Sequence, residues 1–202
     1  MQAATVGTGP DTAVFVHESG TQGLCGFWPY ADWLASAEGV RSVLFNQCTY
    51  GVSQCAAIDA AREWTTATEA AVAWAREHGA RRVTIVGASA GGVVALHAAT
   101  SITPRVDAVV NLSGELSWSD LDSVAAAKRL DIAALFAVAP GDPYVTVDEM
   151  RSVYQAASAA PKRLVVLPDK AGHGWEMLTD ARDSGWSPLA TTIASWIHGS
   201  HR

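Results

Sequence analysis

The chain has 202 residues, 49% of them apolar and 17% charged, with a formal net charge of −6. That is enough apolar material for one domain with a sizeable core, and too much for a disordered chain. The acidic balance, with no basic cluster, speaks against nucleic acid as a partner, and no apolar run approaches the roughly 18 residues of a membrane span.

The opening stretch MQAATVGTGPDT has neither a basic n-region nor a long apolar run, so no secretory signal is read and a cytoplasmic location is expected. Three cysteines, Cys25, Cys48 and Cys55, are an odd number without a C-x-x-C pair. That argues against a zinc site and a disulfide framework and favours free or buried thiols. Cys48 and Cys55 lie in one loop region, and whether they pair stays open.

In chain order, residues 1–10 read as a frayed lead-in. TAVFVH (Thr12 to His17) is a short apolar run, expected as a buried strand. A glycine-rich loop follows, then a short helix over Tyr30 to Ala37 and a second strand, RSVLFN, over Arg41 to Asn46. Ile58 to His78 carries the clearest helical pattern: Ala57, Ala61, Trp64, Thr68, Ala71 and Ala75 recur at alternating spacings of four and three. Arg62, Glu69 and Arg76 mark another face, and Gly79 suits a helix C-terminus. Arg82 to Val86 is the third strand, and Ala90 to Thr100 a helix of small residues. Val106 to Leu112 is the fourth strand, Ser113 to Leu130 a polar loop with a short helix, and Ile132 to Ala139 the fifth strand. Thr146 to Ala157 is a capped helix. Arg163 to Leu167 is the sixth strand and Leu189 to Ile197 the closing helix. Such alternation implies an α/β architecture: three layers, an open and mostly parallel sheet of about six strands with helices on both faces. Ligands of such sheets bind beyond the carboxyl ends of the strands.

The chemistry centres on VTIVGASAGG, Val83 to Gly92. A β-branched run stops at Gly87, Ser89 follows, and a helical pattern begins. A serine on so sharp a strand-to-helix turn exposes its hydroxyl above the sheet, and glycines two residues to either side relieve crowding of neighbouring backbone. Serine is a poor nucleophile without a base. Among six histidines, His173 stands out in LVVLPDKAGHGWEM, after the last strand and between Gly172 and Gly174. His17 ends the first strand at the same sheet edge. Asp142, in ALFAVAPGDPYV after the fifth strand, is placed to orient His173. As a turn aspartate before Pro143 it also has an ordinary explanation. Glu115 and Asp120, after the fourth strand, are alternative acids. Asp169 reads as a turn residue. No P-loop, dinucleotide fingerprint or metal cluster is present, so neither a cofactor nor a metal is expected.

The stretch around Ser89 resembles the nucleophile elbow of the α/β-hydrolase superfamily. The order Ser89, Asp142, His173 is that superfamily's order. The resemblance runs from about Thr12 to Ile197 and implies one domain over residues 1–202, without a separate lid domain, because Ser113 to Asp131 is too short for one. It implies a small lidless serine hydrolase of the esterase type, in which Ser89 attacks an ester or thioester of a small substrate, His173 acts as base and acid, and Asp142 orients it. The oxyanion donors would be the backbone N–H groups of Ala90 and Ser19. Where relatives often show His-Gly, this chain has His17-Glu18-Ser19-Gly20, so the Glu18 N–H is the alternative donor.

Of eight tryptophans, Trp64, Trp74 and Trp196 are expected in the core. Trp28, Trp118 and Trp175 lie in loops at the ligand edge, where they either line a substrate pocket or fill gaps left by the missing lid. A lyase or acyltransferase using the same residues, and a non-catalytic binding module on the same fold, remain as alternatives.

Overall fold

The computed structural model describes residues 1–55, 60–180 and 185–201. Its strands are β1 (Ala3–Val6), β2 (Asp11–Val16), β3 (Arg41–Phe45), β4 (Arg82–Ala88), β5 (Ala108–Leu112), β6 (Ser117–Trp118), β7 (Leu121–Asp122), β8 (Ala133–Val138) and β9 (Lys162–Val166). The helices are α1 (Trp28–Ala37), α2 (Ala60–Glu77), α3 (Ala90–Ser101), α4 (Ser123–Ala127), α5 (Val147–Ala156) and α6 (Pro188–Ile197). The main sheet has seven strands in the order β1-β3-β2-β4-β5-β8-β9. All neighbours are parallel except β1, which runs antiparallel to β3 from Ala3 opposite Phe45 to Val6 opposite Ser42.

The strands β2, β3, β4, β5 and β8 are buried on both faces, and their side chains divide by parity. Val14, Val16, Val43, Phe45, Val83, Ile85, Val109, Phe136 and Val138 face one layer, where α2, α3, α4 and α5 contribute Trp64, Val72, Val94, Ala126, Met150 and Val153. Phe15, Leu44, Val86, Val110, Leu112 and Leu135 face the other, against Tyr30 and Leu34 of α1 and Leu189, Ile193 and Trp196 of α6. Period-two alternation with apolar residues at both parities is what a sheet covered on both faces demands. The three-layer expectation therefore stands, with one more strand than expected. Residues 1–10 are no frayed lead-in, because Ala3–Val6 pairs as an edge strand.

The stripe on α2 is buried as its spacing requires: Ala61, Trp64, Thr68, Ala71 and Ala75 are each at most 3% exposed. Ala57 and Ile58 lie outside the described residues. Gly79 closes the helix at φ +88°, a conformation that side chains resist. Trp74 is the exception among the core tryptophans. It is 37% exposed and stacks on His78 one helical turn later, with ring centroids 3.9 Å apart.

Between β5 and β8 lie only the two-stranded β6–β7 hairpin and the short helix α4. The sequence predicts the short helix in this polar segment but not the hairpin. At the carboxyl ends of the parallel strands, the segments after β2, β4, β5, β8 and β9 carry Glu18, Ser89, Glu115, Asp142 and His173.

Candidate active site

Ser89 stands between β4 and α3 at φ 53° and ψ −127°, a strained conformation costing roughly 1–3 kcal/mol for a side-chain-bearing residue. The surroundings enforce it. The Ser89 N–H donates to the Leu112 carbonyl at 2.9 Å, and its own carbonyl accepts from the Gly92 N–H at 2.7 Å. The flanking glycines are obligatory: a Cβ on Gly87 would collide with the Gly91 carbonyl oxygen, and one on Gly91 with the carbonyl oxygens of Val16 and His17. Ser89 is 4% exposed and borders a cavity of about 220 Å³, shared with Glu18, Ser19, Gly20, Glu115, Tyr144 and His173.

His173 is delivered by the loop after β9. Gly172 (φ +97°) and Gly174 (φ +56°) bend the chain around it. The Glu176 carboxylate accepts the His173 N–H at 3.2 Å, and the Glu176 N–H donates back to the His173 carbonyl at 3.1 Å. On the imidazole, Nδ1 meets both oxygens of Asp142, at 2.9 and 3.0 Å. The Asp142 side chain is completely buried. Its Oδ1 also accepts the backbone N–H groups of Tyr144 and Val145, at 2.9 and 3.1 Å. Turn-forming aspartate and histidine partner are thus the same residue. Of the candidate acids, it is Asp142 that engages His173. The Tyr144 ring lies 4.8 Å from the imidazole, centroid to centroid. Nothing in the sequence singles Tyr144 out.

The Ser89 hydroxyl points elsewhere. It donates to Glu115 Oε1 at 3.0 Å, and among the described residues no hydrogen bond joins it to His173. Glu115, a candidate partner for the histidine by chain order, is therefore a partner of the serine.

The loop after β2 is tied down from behind. His17 is 1% exposed. Its Nε2 accepts the Gln47 N–H at 3.0 Å, which puts the proton on Nδ1, and Nδ1 donates to the Glu18 carbonyl at 2.6 Å. Burial lowers the pKa of this imidazole and keeps it neutral. The Tyr50 hydroxyl donates to the Ser19 carbonyl at 2.7 Å. Tyr50 belongs to a loop that the Cys48–Cys55 disulfide closes, leaving Cys25 as an exposed thiol. The expectation of free or buried thiols is corrected at Cys48 and Cys55, and the open question of their pairing is answered by that disulfide, since the loop between them folds back on itself. With both carbonyls engaged, the loop is set beside Ser89. Ala90, the first residue of α3, has one of the N–H groups that a helix leaves without an intrahelical acceptor.

Carboxylates dominate the electrostatics. Burial pushes the Glu18 carboxyl up to about 7. His173 opposes that shift, while Glu176, Glu115 and Asp142 add to it. The buried Oε2 atoms of Glu18 and Glu115 have no hydrogen-bond partner among the described residues.

The three loop tryptophans are not in the lining of the cavity beside Ser89. Trp118 packs on Trp64 at 4.5 Å and Trp175 on Phe27 at 5.6 Å, between ring centroids, and Trp28 is 40% exposed at the start of α1. A larger cavity of about 440 Å³ lies behind the histidine loop, between Leu167–Gly172 and Ser187–Pro188, and holds none of Ser89, Asp142 and His173.

Solved structures share this architecture. A monoacylglycerol lipase from Paleococcus ferrophilus superposes with a TM-score of 0.78 at 16% identity, covering 98% of both chains. An esterase from Exiguobacterium antarcticum gives 0.79 at 14% identity, over 97% of this chain and 94% of its own. A lipase-esterase related protein from Clostridium acetobutylicum gives 0.75 at 18% identity, over 98% of both. At such identities the likeness is one of fold. No curated protein matches the chain. The family model described as the dienelactone hydrolase family matches residues 52–187, more than half of the sequence and the part that contains Ser89, Asp142 and His173. By that match the chain belongs to the dienelactone hydrolase family, a family of α/β hydrolases.

Proposed function

We propose that the protein is a serine hydrolase that cleaves esters or thioesters of small substrates through an acyl-enzyme on Ser89. The observation that carries this reading is the pairing of His173 Nδ1 with buried Asp142, on a histidine that shares one small cavity with a serine on a strained turn. Asp142 fixes the tautomer with the proton on Nδ1, which leaves Nε2 as the basic atom. Once the Ser89 hydroxyl turns toward it, Nε2 takes the proton as Oγ bonds to the substrate carbonyl carbon. The Ala90 N–H, together with the Ser19 or Glu18 N–H, is aimed at the developing oxyanion. His173 returns the proton to the leaving alcohol or thiol, and water repeats the sequence to release the acid. The cavity of about 220 Å³ favours a small acyl group. Structural neighbours that are an esterase and a lipase agree with this class of reaction.

Hydrolysis of p-nitrophenyl esters of increasing acyl length tests the proposal. Short esters should be preferred, with no jump in rate at the micelle threshold. Ser89→Ala should lose at least about 10³-fold in kcat. Undiminished turnover by Ser89→Ala would rule out the mechanism.

A further inference from the structure

We propose that Tyr50 is a positioning residue for the reaction at Ser89: its hydroxyl clamps the loop after β2 so that the Ser19 N–H meets the developing oxyanion. The proposal rests on the reading of Ser89 as nucleophile. In a planar trans peptide the C=O and the N–H point in opposite directions. The His17 carbonyl oxygen lies against Gly91, where a Cβ would stand 2.4 Å from it. The Glu18 N–H of the same peptide therefore points away from Gly91. In the next peptide the Glu18 carbonyl accepts Nδ1–H of the buried His17 at 2.6 Å. Its Ser19 N–H is thus directed away from that imidazole, on a residue that lines the cavity of Ser89. This aim holds only while the following peptide also keeps its rotation, and the chain runs on from Ser19 into Gly20 and Gly23.

Tyr50 supplies that hold. Its hydroxyl donates to the Ser19 carbonyl at 2.7 Å, which fixes the peptide after Ser19. The rest of the residue is held without the hydroxyl. Its ring packs edge-on against His17 and Trp64, with ring centroids 4.4 and 5.8 Å away. Its N–H donates to the Gln47 carbonyl at 3.1 Å, and its own carbonyl accepts the Ser53 N–H at 3.0 Å. The Cys48–Cys55 disulfide closes the loop that carries it. The turn from Gln47 to Tyr50 thus grips two successive carbonyls. The Gln47 N–H holds His17 on that of Glu18, and the Tyr50 hydroxyl holds that of Ser19. Burial, and to a smaller extent the charge of Glu18, raises the pKa of Tyr50, so the phenol stays protonated and remains a donor. Removing the hydroxyl leaves Ser89, His173 and Asp142 in place and releases one peptide of the donor loop. The cost falls on the state that carries the oxyanion and not on bound substrate.

The test is Tyr50→Phe, which keeps the ring and its packing, with the melting temperature measured alongside. Its kcat/KM for p-nitrophenyl acetate should fall about five- to twentyfold, less than the roughly 10²-fold or more that follows outright loss of an oxyanion donor. A small alkyl trifluoromethyl ketone reports on the oxyanion directly. Ser89 Oγ bonds to its carbonyl carbon, the carbonyl oxygen takes the negative charge, and the hydroxyl proton passes to His173 Nε2. Its inhibition constant should rise by the same factor as kcat/KM falls. The corresponding trifluoromethyl alcohol forms no oxyanion and should bind wild type and variant equally. Unchanged inhibition by the ketone overturns the proposal. So does equal weakening of ketone and alcohol, which would be damage to the cavity. A variant that melts below the assay temperature overturns it too, because the hydroxyl would then hold the fold and not the donor. If wild type neither hydrolyses the ester nor binds the ketone more tightly than the alcohol, the reading of Ser89 as nucleophile fails and this proposal with it. If wild type does both and Tyr50→Phe equals it, only the role of Tyr50 fails.

Discussion

Asp142 and Glu115 follow neighbouring strands, β8 and β5, yet their carboxylates are held in unlike ways. Asp142 is wholly buried, gives both oxygens to His173 and accepts two backbone N–H groups in addition. Glu115 spends one oxygen on Ser89 and leaves the other buried without a partner. A carboxylate held by three separate N–H donors is a fixed part of the frame, and its histidine is fixed with it. A carboxylate held by one exchangeable hydroxyl can let go. The edge of the sheet thus carries a permanent pair and a breakable pair side by side.

Breaking the permanent pair should have the larger effect. Asp142→Asn keeps the shape but presents an amide to Nδ1, favouring the wrong tautomer. We expect kcat for p-nitrophenyl acetate to fall by roughly 10⁴-fold. A fall of less than tenfold would mean that Asp142 does not set the state of His173. Glu115 has no part in that pair, since its carboxylate meets Ser89 and not His173.

A smaller effect concerns Glu18, the third carboxylate at this edge. Burial raises its carboxyl from 4.5 to about 7. Between those values the folded chain keeps a proton that the unfolded chain has released. The contribution to stability is therefore full below about pH 4.5 and is lost as pH rises through 7. Because the group is only half-buried, solvent screening reduces this to about 1 kcal/mol. Glu18→Gln should remove that slope in thermal melts compared at pH 4.5 and pH 8. A variant that keeps the wild-type slope would show that Glu18 titrates normally.

Most of the fold was legible because buried strands and an amphipathic helix repeat at fixed periods. Val83 to Gly87 and the α2 stripe are cases where burial and pattern coincide. β1 was not legible: Ala3–Val6 is four residues long and half exposed, and only pairing with β3 makes it a strand. The β6–β7 hairpin is shorter still, with two residues in each strand. In the site, Ser89, Asp142 and His173 could be read because each follows a strand with its own local glycine pattern. The Ser89–Glu115 bond could not be read. It depends on a bend at Ser113, on Ser123 eight residues beyond Glu115, and on the torsion of one hydroxyl. The disulfide was obscured by an odd cysteine count, although its two cysteines share one loop. The loop tryptophans were placed near the ligand edge by chain order, but chain order does not say that Trp118 turns toward Trp64 and Trp175 toward Phe27.

The central claim is that the reaction passes through an ester bond to Ser89, and acid quenching during turnover tests it most directly. Wild-type protein quenched while hydrolysing p-nitrophenyl acetate and then digested should carry an acetyl group on the peptide containing Ser89. The group should be absent from Ser89→Ala and should accumulate when deacylation is slowed. Full turnover with no adduct on that peptide, or an adduct on another residue with Ser89 unmodified, would contradict the account.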